Sequence, residues 1–465
     1  MAGAIPTELG VKPINQLIRQ YAIPGIIAMI ASALYNVVDR IYIGHIPDVG
    51  SLALSGLTVT FPLMNISTAF GTLVGVGAAT MISVLLGQKN YAVANKVLSN
   101  EVTLNIITGI IFTFVTLMWM DPILRIFGAS ESSLPYAREY MTIIACGNAV
   151  THLYFGLNSV IRSSGSPKTA MGLTLFTVGS NALLDPLFIF GFKMGIRGAA
   201  IATVLCQLMA LSYTMWFFFD QKKFLHLPRS RKLFHIDWRI AKESLAIGMG
   251  PFLMNLASCI VVLFINQQLV KWGGDLAIAA YGIVNSISFL FVMIIMGFNQ
   301  GMQPIASFNY GARQYARVQE VYVKTAGWAT IVTILGFLVS EVIPGPTVSI
   351  FTPDPVLHDL AAKGLRKMNM VFPIIGFQMV TTNLFQCLGM VNKSIFLSLS
   401  RQLLFLLPCI YLLPPLLHSE DGVWYSFPIS DTIAAIVTAL FAVGLLRKLG
   451  KLKDGDDPAI LGSKI

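Results

Sequence analysis

The chain has 465 residues, 55% hydrophobic and only 12% charged, with a mean hydropathy of +0.71. Soluble domains carry about 25% charged residues, so the composition excludes an ordinary soluble globule and reads as an all-α, polytopic membrane protein. The net charge of +10 does not signal nucleic acid, because the Lys and Arg residues fall in short gaps between apolar runs, as cytoplasmic loops do.

Residues 1–16 are mixed in character and lead straight into an apolar run, so no cleaved signal is expected. Twelve apolar segments follow: 18–44, 54–86, 97–119, 135–161, 169–192, 195–219, 243–272, 278–308, 318–343, 359–389, 394–417 and 423–446. Several are longer than a bilayer needs, which predicts tilt, kinks or protrusion into water. Alternate gaps carry the basic residues: Lys89 and Lys96, Arg162 and Lys168, seven between Lys222 and Lys242, Arg313 and Arg317, Lys393 and Arg401, and Arg447 to Lys453. The other gaps carry mainly His and acids, with Arg125 an exception. By the positive-inside rule both termini are expected in the cytoplasm. No CxxC or Cys/His cluster, Walker motif, HExxH or GxSxG occurs, so no disulfide framework, zinc site, ATPase or hydrolase is indicated.

The basic stretch 220–242 divides the segments into two sets of six. The predicted organisation is a lobe at 1–219, a cytoplasmic linker at 220–242, a second lobe at 243–446 and a cytoplasmic tail at 447–465. The halves repeat. Gly77, Ser83, Gly87, Tyr91 and Ala92 match Gly301, Ser307, Gly311, Tyr315 and Ala316, each pair 224 positions apart (301 − 77 = 224). Six is even, so these are parallel repeats, two pseudo-symmetric six-helix lobes with a substrate path expected between them. A duplicated scaffold without transport is the blander alternative.

Polar residues within the apolar runs carry the chemistry. A carboxylate at a bilayer centre costs at least about 2.5–3.5 kcal/mol and usually marks function. Asn181 and Asp185 are spaced i, i+4 on one helix face, and Pro186 leaves the Ala182 carbonyl without its helical N–H. The blander alternative is a capped, kinked helix end. Asp39, Asp185 and Thr203 lie five residues before Gly44, seven before Phe192 and eight after Gly195. At 1.5 Å per residue all three sit about 7–12 Å inside the outer face, with Asn181 a turn deeper. Two carboxylates in low dielectric need a proton or a cation between them. Arg40 points about 100° away from Asp39 and can snorkel outward. The intramembrane acids are expected in the first lobe alone. Tyr35 and Asn36, Tyr154 and Asn158, and the stripe Phe289, Met293, Met296 are candidates for an adaptable aromatic and Met-lined cavity, although such stripes also serve packing.

Val38-Asp39-Arg40-Ile41-Tyr42-Ile43-Gly44, Ile161-Arg162-Ser163-Ser164-Gly165-Ser166-Pro167-Lys168, the run Asn181 to Gly191 and Gly198-Ala199-Ala200-Ile201-Ala202-Thr203 together resemble the multidrug and toxic compound extrusion (MATE) family over essentially the whole chain. The resemblance implies a secondary active exporter, not an enzyme. It would antiport organic cations and amphipathic drugs against protons or sodium, with no cofactor, no nucleic-acid partner and a monomer in the lipid bilayer. It also implies a first-lobe ion site at Asp39, Asn181, Asp185 and Thr203, which would be the sodium ligands if sodium is the coupling ion. Members with a second-lobe site have carboxylates in segments seven and ten, and in those segments this chain has Asn255, Asn266 and Gln378 instead. A lipid-linked-sugar flippase would call for basic residues in the cavity. An intramembrane aspartyl protease would need Tyr-Asp and Gly-x-Gly-Asp, which Val-Val-Asp39 and Leu-Leu-Asp185 do not match.

Overall fold

The computed structural model describes residues 8–229 and 231–458; the end of the expected tail, 459–465, lies outside the described residues. All regular structure among the described residues is helical. That follows from the medium, since a lone span in hydrocarbon must satisfy its own backbone hydrogen bonds. Among the described residues ten helices are long and apolar enough to cross a bilayer: α1 (Ile14–Gly44), α2 (Gly50–Gly87), α3 (Tyr91–Met118), α5 (Pro167–Gly191), α6 (Ile196–Phe219), α7 (Trp238–Gly274), α8 (Leu276–Gly311), α9 (Tyr315–Val342), α11 (Val391–Leu417) and α12 (Asp421–Leu449). The pair Pro355–Met368 and Phe372–Cys387, bent by 54°, forms α10. The twelfth span, α4, joins Leu134–Cys146 to Asn148–Ser163 across Gly147. It is less apolar because it carries Arg138, Glu139, Asn148, His152 and Asn158.

The helices run past the apolar windows at several ends. Helix α2 has 38 residues, or about 57 Å at 1.5 Å per residue, against about 30 Å of hydrocarbon. The apolar window marks the slab, and the helix continues beyond it until a cap or a breaker stops it. Asn90 starts α3 by accepting from the Val93 N–H at 3.3 Å. Asp354 starts α10 by accepting from Val356 at 2.8 Å. Gly274, at φ +70°, separates α7 from α8, a conformation that suits glycine.

The sequence repeat is a structural repeat. Helices α3 and α9 both have 28 residues and start 224 positions apart (315 − 91 = 224). Asn148–Ser163 and Phe372–Cys387 keep the same offset. Each half has one span with a π-helical turn, Leu187–Gly191 in α5 and Ser400–Leu406 in α11. In α5 the wide turn directly follows Pro186, which cannot supply the N–H that a regular turn would use.

Packing divides the chain into two units. Unit 1 comprises Ile27–Phe252 together with residues up to Val11; unit 2 comprises Lys12–Ile26 and Leu253–Ile465. The first half of α1 therefore packs within unit 2, and the first half of α7 within unit 1. Matched glycines receive them. A Cβ on Gly301 would lie 2.6 Å from the Ala22 backbone, and one on Gly77 would lie 2.0 Å from the Ser244 carbonyl. These repeat mates are where small residues let helix backbones meet. Gly77→Ala is expected to destabilise the purified protein by about 1–3 kcal/mol through overpacking. A thermal melt checks this, with Gly327→Ala, which meets nothing within 4 Å, as the unaffected control.

One expectation is corrected. Intramembrane acids are not confined to the first half, because Asp431 of α12 is 3% exposed. Its Oδ1 accepts from Arg401 Nε at 2.6 Å. Arg401 lies in the π turn of α11, inside the expected segment 394–417.

Candidate cation site

Three spans of unit 1 bring four polar residues together. Asp39 comes from α1, Asn181 and Asp185 from α5, and Thr203 from α6; all are at most 6% exposed. The i, i+4 spacing turns Asn181 and Asp185 inward together. Thr203 is the hub: its Oγ1 accepts from Asn181 Nδ2 at 3.3 Å and lies 3.0 Å from the Tyr35 hydroxyl. The Asp39 and Asp185 carboxyls are within hydrogen-bonding reach of each other. Arg40 turns outward and lies over the Phe61 ring, 5.3 Å from its centroid.

The bonding is incomplete in one particular way. Asp39 Oδ1, Asn181 Oδ1 and both oxygens of Asp185 are buried and make no hydrogen bond of ordinary geometry, with the neutral Asn181 amide the nearby donor to Asp185. All are acceptors, and buried acceptors without donors are costly. Two ionised carboxylates can only accept, so contact between them requires a proton or a cation. An oxygen-only cluster suits a small hard cation as well as a proton. Among the described residues no three or more of His, Cys, Asp and Glu gather to hold a metal. An apolar shell that includes Ile43, Leu57, Leu124, Ile189 and Ile196 packs next to these spans and keeps the local dielectric low.

The sequence reading missed Tyr140. Its hydroxyl is buried, within reach of Thr203, and close enough to feel the charges of Asp39 and Asp185. The same depth arithmetic finds it, since Tyr140 is six residues inside Leu134, about 9 Å along the helix.

The remaining candidates are dispersed. Tyr35 belongs to the acid cluster. Asn36 is exposed and donates to the Ser32 carbonyl at 2.9 Å. Tyr154 is buried and its hydroxyl accepts from Thr177 at 3.2 Å. Asn158 is buried and donates to the Ala170 carbonyl at 3.1 Å, so both tie α4 to α5. Met293 is half-buried on α8 in unit 2.

The MatE family model matches residues 24–187 and 246–412. The multidrug export protein MepA of Staphylococcus aureus (strain N315) is 27% identical over 436 residues, 94% of this chain and 95% of the relative. Among solved structures, an outward-facing multidrug resistance MATE family transporter of the MOP superfamily superposes with a TM-score of 0.88 at 23% identity, covering 97% of this chain and 100% of that one. A MATE structure in a bent conformation reaches 0.89 at 23% identity, covering 96% and 99%.

Proposed function

The chain belongs to the MatE family of membrane transporters, and from that premise we propose that it is a secondary multidrug exporter coupled to protons or sodium through unit 1. The observation that carries the coupling is the neighbouring pair of buried carboxyls, Asp39 and Asp185, with no basic side chain bonded to either. Capture of a proton or cation offsets the repulsion and lets α1 pack differently. Loss of that ion reverses the preference. Helix α1 is suited to pass this on, because its first half packs in unit 2 and its second half in unit 1. The relatives named as multidrug export proteins support amphipathic or cationic drugs as cargo. Tyr35, Asn36 and Met293 are the drug-contact candidates with exposed surface; Tyr154 and Asn158 are buried and would act from behind the wall. The protein works as a monomer in the bacterial inner or plasma membrane, with both termini in the cytoplasm.

Drug export from proteoliposomes, driven first by a sodium gradient and then by a pH gradient, tests the reading. Export is expected to accelerate under at least one of the two. Equal rates with and without both gradients would sink the coupling.

A further inference from the structure

A third buried acid of unit 1 lies outside the cluster just described. Glu101 of α3 is 1% exposed. Its Oε1 accepts from Asn105 Nδ2, one turn along the helix, at 2.7 Å. Its Oε2 and the Asn105 Oδ1 are both buried and have no partner. Space for the pair comes from Gly156 of α4, where a Cβ would sit 2.1 Å from Glu101 Oε1 and 2.4 Å from Asn105 Nδ2. No charged side chain compensates Glu101, and Asn105 is the one side chain bonded to it.

A carboxyl and an amide that share one N–H···O bond are one proton short of a complementary pair. A proton on Oε2 has the Asn105 Oδ1 as its natural acceptor, and both orphan oxygens are then satisfied. An ionised Glu101 would leave a bare charge in the interior.

A polar cavity adjoins α3 just before Glu101. Ser99 and Asn100, the two residues before Glu101, line a cavity of about 550 Å³ with Lys96, His226, His235 and Asp237. Asn100 also holds the connecting segment in place: its Nδ2 donates to the Asp237 carbonyl at 3.0 Å, and its Oδ1 accepts from the Asp237 N–H at 3.1 Å. On the inner side, Thr108 Oγ1 donates to the Asn105 carbonyl at 3.3 Å and lies 3.4 Å from Nδ1 of the buried His152. The Nε2 of His152 lies 3.0 Å from Ser67 Oγ. The titratable groups near Glu101 are thus His152 through this string, and His226, His235, Asp237 and Lys96 around the cavity.

We propose that Glu101 is a second proton-binding site of unit 1, its proton held in an acid–amide pair with Asn105 and exchanged with water through the cavity beneath the 220–242 connection. The site is independent of Asp39 and Asp185. Infrared spectroscopy of the purified full chain in H₂O and D₂O tests it. An acid-carbonyl band is expected that Glu101→Gln removes and that shifts in D₂O. The Gln amide can donate to Asn105 Oδ1, so this variant keeps the pairing. Asn105→Leu, measured separately, is expected to move the same band by removing its partner. If Glu101→Gln and Asn105→Leu both leave every acid-carbonyl band unchanged, Glu101 is ionised and the proposal fails. A band that never shifts in D₂O after prolonged equilibration marks a sealed structural proton and overturns the exchange.

Discussion

Asp39→Asn and Asp185→Asn are each expected to abolish drug resistance while the protein persists in the membrane at wild-type amounts. The substitution changes little in shape. It supplies an N–H₂ to the facing carboxyl, so an orphan acceptor gains a permanent donor. What disappears is the difference between loaded and empty. Moving a two-state protein from 1:99 to 99:1 requires a ligand that prefers one state by about 5.5 kcal/mol. A pair with one amide has no repulsion for an arriving ion to offset. The variant should therefore resemble a permanently occupied site, able to bind drug and unable to cycle. Drug susceptibility of expressing cells, with membrane immunoblots, checks this. Undiminished resistance in both variants would end the coupling role.

The site was legible for reasons that are physical and narrow. Asp39, Asn181, Asp185 and Thr203 stand out because acids and amides are rare in hydrocarbon, and a fixed rise per residue converts position into depth. Tyr140 escaped because a tyrosine in a half-polar span looks ordinary. Glu101 and His152 escaped because they lie in spans read only for their apolar content. The pair Tyr154 and Asn158 shows the opposite limit. An i, i+4 spacing says that two side chains share a face, not whether that face meets a cavity or a neighbouring helix; here it meets α5. The repeat offset of 224 was readable because identical glycines do identical steric work. Which half-helix each glycine receives depends on long-range packing that no local pattern encodes. Gly77 seats residues near Ser244, and Gly301 seats residues near Ala22.

Arg401→Ala is expected to destabilise the protein by about 3 kcal/mol, the lower end of the range for breaking a buried ion pair. The lower end applies because the Arg401 side chain is 30% exposed, whereas that of Asp431 is 5% exposed. The loss leaves Asp431 as a buried charge with no counter-ion. The double variant Arg401→Ala/Asp431→Ala should recover much of it, because both charges go together. Thermal unfolding of the purified proteins gives the comparison. A single variant as stable as the parent would show that the pair carries no such energy. The two units meet the same cost in different ways. In unit 2 a guanidinium 2.6 Å from Asp431 supplies the counter-charge from within the chain. In unit 1 the partners of Asp185 are the neutral Asn181 amide and the Asp39 carboxyl, neither of which brings a counter-charge. Under the proposed coupling, that difference is the reason for unit 1 to take up an ion.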